Sequence, residues 1–309
     1  MNSRVLSKPR GDVHRAVTDK IVAAIEAGAG EFVMPWHRMG PDTGRPTNAV
    51  TGNKYRGVNV VALWAEAALG GFASGYWASY LQWQELGAQV RKGEHGSTIV
   101  FYREIEDEYP LQLFAEEEGS PAKRFVARAF SVFNAEQVDG WRPPGQPEAS
   151  TPVEILGRVD RLVAGTQATI RHGGTLACYR PGLDRIDVPK RDLFVGSPTS
   201  TPTESYYATL LHELVHWTGA KHRLDRTFGS RFGDGAYAAE ELVAEIGAAF
   251  LCADLNVSNE PRQDHAAYLS TWLEILKSDS RAIFTASRLA SQASDYLFEL
   301  STPELEPKI

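Results

Sequence analysis

Within the stretch LLHELVHWTG, His212, Glu213 and His216 form an HExxH pattern whose residue types and spacing fit metal-assisted hydrolysis. Histidines four residues apart share one face of a helix, so both imidazoles can reach a single cation. The glutamate between them can orient and deprotonate a water held there, which is general-base work. One zinc ion per chain is the expected cofactor, with His212 and His216 as ligands and Glu213 as the base.

The third ligand has more than one candidate. HELVHWTGAKH also fits HExxHxxGxxH, which would make His222 a ligand in the metzincin manner. That class needs a methionine turn downstream, and Met1, Met34 and Met39 all lie upstream. The segment GAYAAEELVAEIGAAFLCADL offers acids at 240, 241 and 245 on a strongly helical stretch. In the gluzincin arrangement a second helix supplies a glutamate ligand and, one turn later, an acid that hydrogen-bonds a ligand histidine. Glu241 and Glu245 have that spacing, so Glu241 is expected on the metal and Glu245 behind a histidine. The reverse assignment and His222 stay open, and Glu240 is expected to be a solvated surface carboxylate. Tyr206, Tyr207 and Tyr237 are candidate donors to an oxyanion, weighed against plain packing. DRIDVP is a candidate edge strand for an extended peptide, or equally plain core.

The elements that must position these groups can be read around them. Thr201, Pro202 and Glu204 form a capping box with proline at the first helical position, Gly219 is the expected stop, and Leu210, Leu211, Leu214 and Val215 give the helix a face to bury. Upstream, VHRAVTDKIVAAIEAG spaces Val13, Val17, Ile21, Val22 and Ile25 as a helix ending at Gly28. YRGVNVVALWAEAA reads as a loop entering a helix, SYLQWQELG as a short helix, and STIVFYRE and RFVARAFSVFNAEQV as strands separated by an acidic insertion near 104–124. With 309 residues, two domains are expected. Residues 1–11 read as a flexible arm, 12–141 as the first domain, and RPPGQPEASTP at 142–152, with four prolines, as a linker. The second domain, 153–309, opens with the helical EILGRVDRLVAGT and the short strands ATIRHGG, LACYRPG and DRIDVP, then turns helical to Ser301.

Apolar residues make up 43% and charged residues 23%, which excludes a disordered or fibrous chain. Cys178 and Cys252 are too few and too far apart for a disulfide framework or a cysteine-rich zinc site, and read as buried thiols in a reducing compartment. The N-terminus lacks an apolar signal region, and no apolar run approaches the ~18 residues of a membrane span, so a cytoplasmic protein away from membranes is expected.

The net charge of -7 is unevenly spread: residues 1–103 carry 12 Lys/Arg against 8 Asp/Glu, whereas 143–309 carry 16 against 22. Five of the seven tryptophans fall in the first 141 residues. Aromatics that stack on bases, with cations that follow phosphates, are what sequence-tolerant single-strand binding requires. Candidates are Trp36, His37, Arg38, Arg45 and Asn48, then Lys54, Tyr55, Arg56 and Asn59, and finally Trp77, Arg91 and Lys92. An aromatic core under a solvated basic face is the competing reading of the same composition.

VHRAVTDKIVAAIEAG followed by PW, NAVTGNKYRGVN, GAQVRKGEHGSTIVFY and VFNAEQVDG resembles the N-terminal single-stranded-DNA-binding domain of ArdC-type antirestriction proteins. YYATLLHELVHWTGAKHRLDR and YAAEELVAEIGAAFL resemble their zincin-like metallopeptidase domain. The resemblance implies an α+β chain: an N-terminal mixed α/β domain binding single-stranded DNA, then a largely helical gluzincin-like metallopeptidase domain with a small β-sheet. It implies the HExxH roles at His212, Glu213 and His216 and weakens His222, where family members often lack histidine. It further implies a protein of mobile elements that protects incoming DNA from host restriction, with a host restriction component as a possible peptide substrate. The alternative is a DNA-binding shield whose metal site is structural.

Overall fold

The computed structural model describes residues 12–28, 34–37, 44–105, 124–143, 152–197, 200–227, 235–258 and 265–301. The arm at 1–11, positions 106–123 of the acidic insertion and 144–151 of the proline-rich stretch lie outside the described residues.

Helix α1 (Val13–Gly28) buries Val17, Ile21, Val22 and Ile25, the stripe its spacing predicts. It packs on α2 (Val58–Gly70), which is apolar almost all round and follows a short strand β1 (Thr47–Asn48). After β2 (Tyr76–Ala78), α3 (Tyr80–Glu85) starts at a capping box between Ser79 and Gln82. Then come β3 (Gln89–Val90) and the long pair β4 (Ser97–Ile105) and β5 (Arg124–Asn134), with β6 (Val138–Asp139) closing the segment. The main sheet runs β1-β2-β5-β4, antiparallel except for the parallel β1/β2 pair, and β3 pairs with β6.

Helix α4 (Pro152–Thr166) leads into β7 (Thr169–His172), β8 (Cys178–Arg180) and β9 (Arg185–Val188). Their order is β7-β9-β8, so the DRIDVP segment is the central strand and β8 is an edge. The edge expectation thus moves to LACYRPG: Ile186 and Val188 are buried, and a strand between two neighbours has no free ladder groups. Four helices follow: α5 (Pro202–Thr218), α6 (Ala236–Leu255), α7 (His265–Ser278) and α8 (Ala282–Ser301).

The capping box at the start of α5 is present: Thr201 Oγ1 accepts from Glu204 N at 3.2 Å and Glu204 Oε2 accepts from Thr201 N at 2.8 Å. Gly219 ends the helix with an ordinary right-handed φ of -73°, so positive φ is not what calls for glycine here. A Cβ there would meet the Arg226 guanidinium at 2.8 Å and the His216 carbonyl oxygen at 3.1 Å, so crowding from both favours glycine. Helix α6 buries most of its residues and lies against α5, α7 and α8. One hydrophobic cluster joins Ile21, Trp36, Leu63 and Val100 to Leu211, Phe250 and Leu297, so both halves of the chain share a core.

Helices α5 and α6 are in close contact at Gly247, where a Cβ would come within 2.9 Å of both Cγ atoms of Val215, a stiff β-branched neighbour. Overpacking costs about 1–3 kcal/mol, against roughly 1 kcal/mol recovered by replacing a helical glycine with alanine. Gly247→Ala should therefore lower the melting temperature by a few degrees, measured by calorimetry on the metal-free protein.

Candidate metal centre

His212 and His216 project from one face of α5, and Glu241 meets them from the first turns of α6. Their ligand atoms all lie within 4.8 Å of one another. The two Nε2 atoms are 3.1 Å apart, and the Glu241 oxygens lie 3.4 Å from His212 Nε2 and 3.5 Å from His216 Nε2. A tetrahedral ion with bonds of about 2.1 Å separates its ligands by about 3.4 Å, so the three donors fit a divalent cation and leave a fourth position open. His222 is exposed, with Nε2 3.2 Å from Asp184 Oδ2, and takes no part in this cluster.

Each histidine is backed by a carboxylate. Glu240 accepts from His216 Nδ1 at 3.0 Å and is itself gripped by Arg226, whose Nε donates to Oε2 at 2.8 Å. The expectation of a solvated Glu240 is therefore corrected: Arg226, with a side chain only 1% exposed, needs a counter-charge, and Glu240 supplies it while aiming His216. Behind the other histidine, Glu245 Oε2 faces His212 Nδ1 at 3.6 Å, longer than a hydrogen bond, and that Nδ1 is buried with no other hydrogen-bond partner among the described residues.

Burial opposes a charge on His216, but hydrogen bonds to Glu240 and Glu241 and their charges override it and raise its pKa to about 9. Burial pushes Glu241 up, yet His212 and His216 hold it well below the usual carboxylate range. Glu240 is likewise lowered, Arg226 and His216 outweighing burial.

Glu213 is buried beside the ligands, and its Oε2 accepts from the backbone N–H of Tyr179 on β8 at 2.8 Å. A cleft of about 440 Å³ opens over the cluster, bordered by Cys178 and Tyr179 on one side and Tyr237 and Tyr268 on the other. Cys178 is thus half-exposed at the cleft and corrects the expectation of two buried thiols; Cys252 is fully buried. Of the three tyrosines considered, only Tyr237 reaches the cleft. Tyr206 and Tyr207 are buried and bonded to His172 and Asp160.

Two family models match the chain: the N-terminal domain of the anti-restriction factor ArdC over residues 11–133, and a zincin-like metallopeptidase over residues 157–289. The metal-free crystal structure of the antirestriction ArdC protein from plasmid R388 superposes with a TM-score of 0.73 at 40% identity, covering 94% of this chain and 98% of that one. The chain belongs to the ArdC antirestriction family. A Mn(II)-bound structure of the same R388 protein matches with a TM-score of 0.72, covering 95% and 99%. Protein y4eC of Sinorhizobium fredii is 46% identical over 93% of this chain and 91% of its own length. DNA primase TraC of Escherichia coli is 34% identical over 97% of this chain, which spans 21% of that protein.

In this ArdC-family chain the tertiary structure redistributes the N-terminal residues expected to face DNA. Trp36 and Trp77 are at most 1% exposed, and Tyr55 and Asn59 are also buried, with Asn59 Nδ2 donating to Val100 O at 2.9 Å. These side chains are core, because burying a large ring outweighs leaving it for a ligand. Arg45 is buried over the Phe250 ring and donates to Asp254 Oδ2 at 2.7 Å; Lys54 Nζ reaches Asp254 Oδ1 at 2.7 Å, and Arg56 pairs with Asp295. The basic first third thus spends these cations on acids of α6 and α8. Asn48 accepts from Val50 N and Thr51 N in its own turn. Arg38 lies outside the described residues.

Arg91 and Lys92 lie at the surface, in a groove of about 680 Å³ shared with Tyr80, Gln89 and Phe133 and also with Glu94 and Asp139; Arg91 pairs with Glu94 at 2.8 Å and with Asp139 at 3.7 Å. Tyr80 is 42% exposed, and Phe101, Tyr102 and Phe130 stand out on β4 and β5. None of these four aromatics was singled out from the sequence; the strand-like stretches STIVFYRE and RFVARAF, which hold Phe101, Tyr102 and Phe130, were the available signal, and Tyr80 had none. No helix among the described residues is long and apolar enough to cross a membrane.

A cation bound through His216 would need that imidazole neutral, and since its neighbours raise its pKa to about 9, the ring would give up a proton on binding. Calorimetry in buffers of different ionisation enthalpy should show about one proton released per ion at pH 7. Affinity should rise about tenfold per pH unit up to about pH 9 and then level off.

Proposed function

We propose that this chain protects the DNA of a mobile element from host restriction, binding single-stranded DNA through its N-terminal segment and hydrolysing peptide bonds at a zinc site made by His212, His216 and Glu241. The observation that carries the reading is Glu213 beside a three-donor cluster with an open fourth position, under a cleft bordered by the edge strand β8. Two imidazoles and a carboxylate suit zinc, which when bound polarises a carbonyl and makes a nearby water acidic.

The chain's own residues supply the rest. An extended peptide can lie along β8, aligned by backbone pairing at the strand edge. Glu213, held by Tyr179 N–H, takes the proton of the attacking water and returns it to the leaving amine. Tyr237 offers its phenol to the carbonyl oxygen under attack from the opposite wall. A protein component of the host restriction machinery, met in the cytoplasm, is the proposed substrate.

Support for the DNA partner comes from relatives named as a plasmid antirestriction protein and a DNA primase, and from the groove of Arg91, Lys92, Tyr80 and Phe133. Cations follow phosphates there and the rings offer stacking faces, with no need for base-specific contacts. A shield acting by occupancy alone, with a structural ion, is the competing reading; the open coordination position favours a reactive site.

Glu213→Gln should keep metal affinity within a few-fold and lower the rate of metal-dependent peptide cleavage by about 10²–10⁴; antirestriction kept in full by this variant would favour the shield. Replacing both Arg91 and Lys92 by Ala should weaken binding to a single-stranded oligonucleotide, whatever its sequence. The double change should also flatten the slope of log affinity against log salt by about 0.7 for each phosphate no longer neutralised.

A further inference from the structure

The short turn Pro35–His37 belongs to the N-terminal segment, yet it ends against the metal helices. Met34 N–H donates to His37 Nδ1 at 3.0 Å, so Nδ1 carries the lone pair and the ring proton sits on Nε2. That Nε2–H points at Glu245 Oε1, 2.5 Å away. The indole Nε1–H of Trp36, which can only donate, reaches the same oxygen at 3.3 Å. The His37 and Glu245 side chains are 0% and 3% exposed, and Trp36 is fully buried.

Two buried donors on Oε1 stabilise a carboxylate away from water and fix its rotation about the side chain. The consequence is that Oε2 turns toward His212 Nδ1, the ring nitrogen with no other hydrogen-bond partner among the described residues. A ligand histidine is oriented, and its proton assigned, by what its second nitrogen faces. With Nδ1–H aimed at Glu245, the lone pair of Nε2 points into the cluster with His216 and Glu241.

We propose that Trp36 and His37 are positioning residues of the metal centre: the N-terminal segment holds Glu245, and Glu245 sets the His212 imidazole for the cation. The proposal rests on the reading of His212, His216 and Glu241 as metal ligands. It makes the centre a joint product of the two family segments, since Trp36 and His37 lie within residues 11–133 and the ligands within 157–289. It also gives these two polar side chains a role at the metal where the sequence had offered one at DNA.

The test uses the full chain with His37→Leu, His37→Gln and Trp36→Phe, titrating Zn(II) against a chromophoric chelator and recording metal-free melting. His37→Leu should weaken zinc binding about tenfold, the low end of the effect of groups behind a ligand, because His37 acts through Glu245. His37→Gln, whose amide can donate to Glu245, should recover most of that loss, and Trp36→Phe should weaken binding a few-fold. Wild-type zinc affinity in folded His37→Leu or Trp36→Phe would overturn the proposal. So would a lowered metal-free melting temperature in all three variants with no change in affinity, the signature of a merely structural tie. If His37→Leu does not fold, the other two variants decide by the same criteria. Wild-type protein that binds zinc no better than His212→Ala would instead refute the metal-ligand reading itself.

Discussion

Everything at the candidate centre depends on how closely α5 and α6 approach. Two histidines on one helix offer only two donors, and the third must come from a neighbour at a distance that lets one ion touch all three. Gly247 sets that distance by letting the Val215 side chain sit against the backbone of α6. With the helices fixed there, Glu241 reaches both Nε2 atoms, and Glu240 and Glu245 fall behind His216 and His212 respectively.

Concentrating four carboxylates, Glu213, Glu240, Glu241 and Glu245, around two histidines is electrostatically unfavourable, and the surroundings are arranged to offset it. Arg226 neutralises Glu240, the Tyr179 N–H meets Glu213, and Trp36 and His37 donate to Glu245. Glu241 pairs with His212 and His216 themselves, so a cation would be the natural replacement for the proton held between them. These partners come from three separate parts of the chain, the loop after α5, strand β8 and the turn Pro35–His37, so the centre is rigid only when the whole fold is present.

The same logic explains the charge asymmetry of the chain. A basic first third against an acidic remainder suits an interface between them as well as one with DNA. Arg45 and Lys54 on Asp254, and Arg56 on Asp295, show where part of that charge goes. What remains exposed around Arg91, Lys92 and Tyr80 is a smaller and better defined surface than composition suggested.

Much of this was legible in the order of residues. The helix from Pro202 to Thr218 was marked by its capping box and apolar stripe, α1 by its periodicity, and β4 and β5 by their alternation, because these are local patterns that declare themselves within a few residues. His212, Glu213 and His216 could be singled out because four residues is one helical turn. What the sequence left open was every choice that depends on which faces meet: whether 241, 245 or 222 lies near the histidines, whether Glu240 is solvated, which strand of the small sheet is the edge. Trp36 illustrates the limit best, since an indole has the same stacking face and N–H donor whether it meets a base or a buried carboxylate. Only the packing of α2 and α6 around it decided that its N–H reaches Glu245.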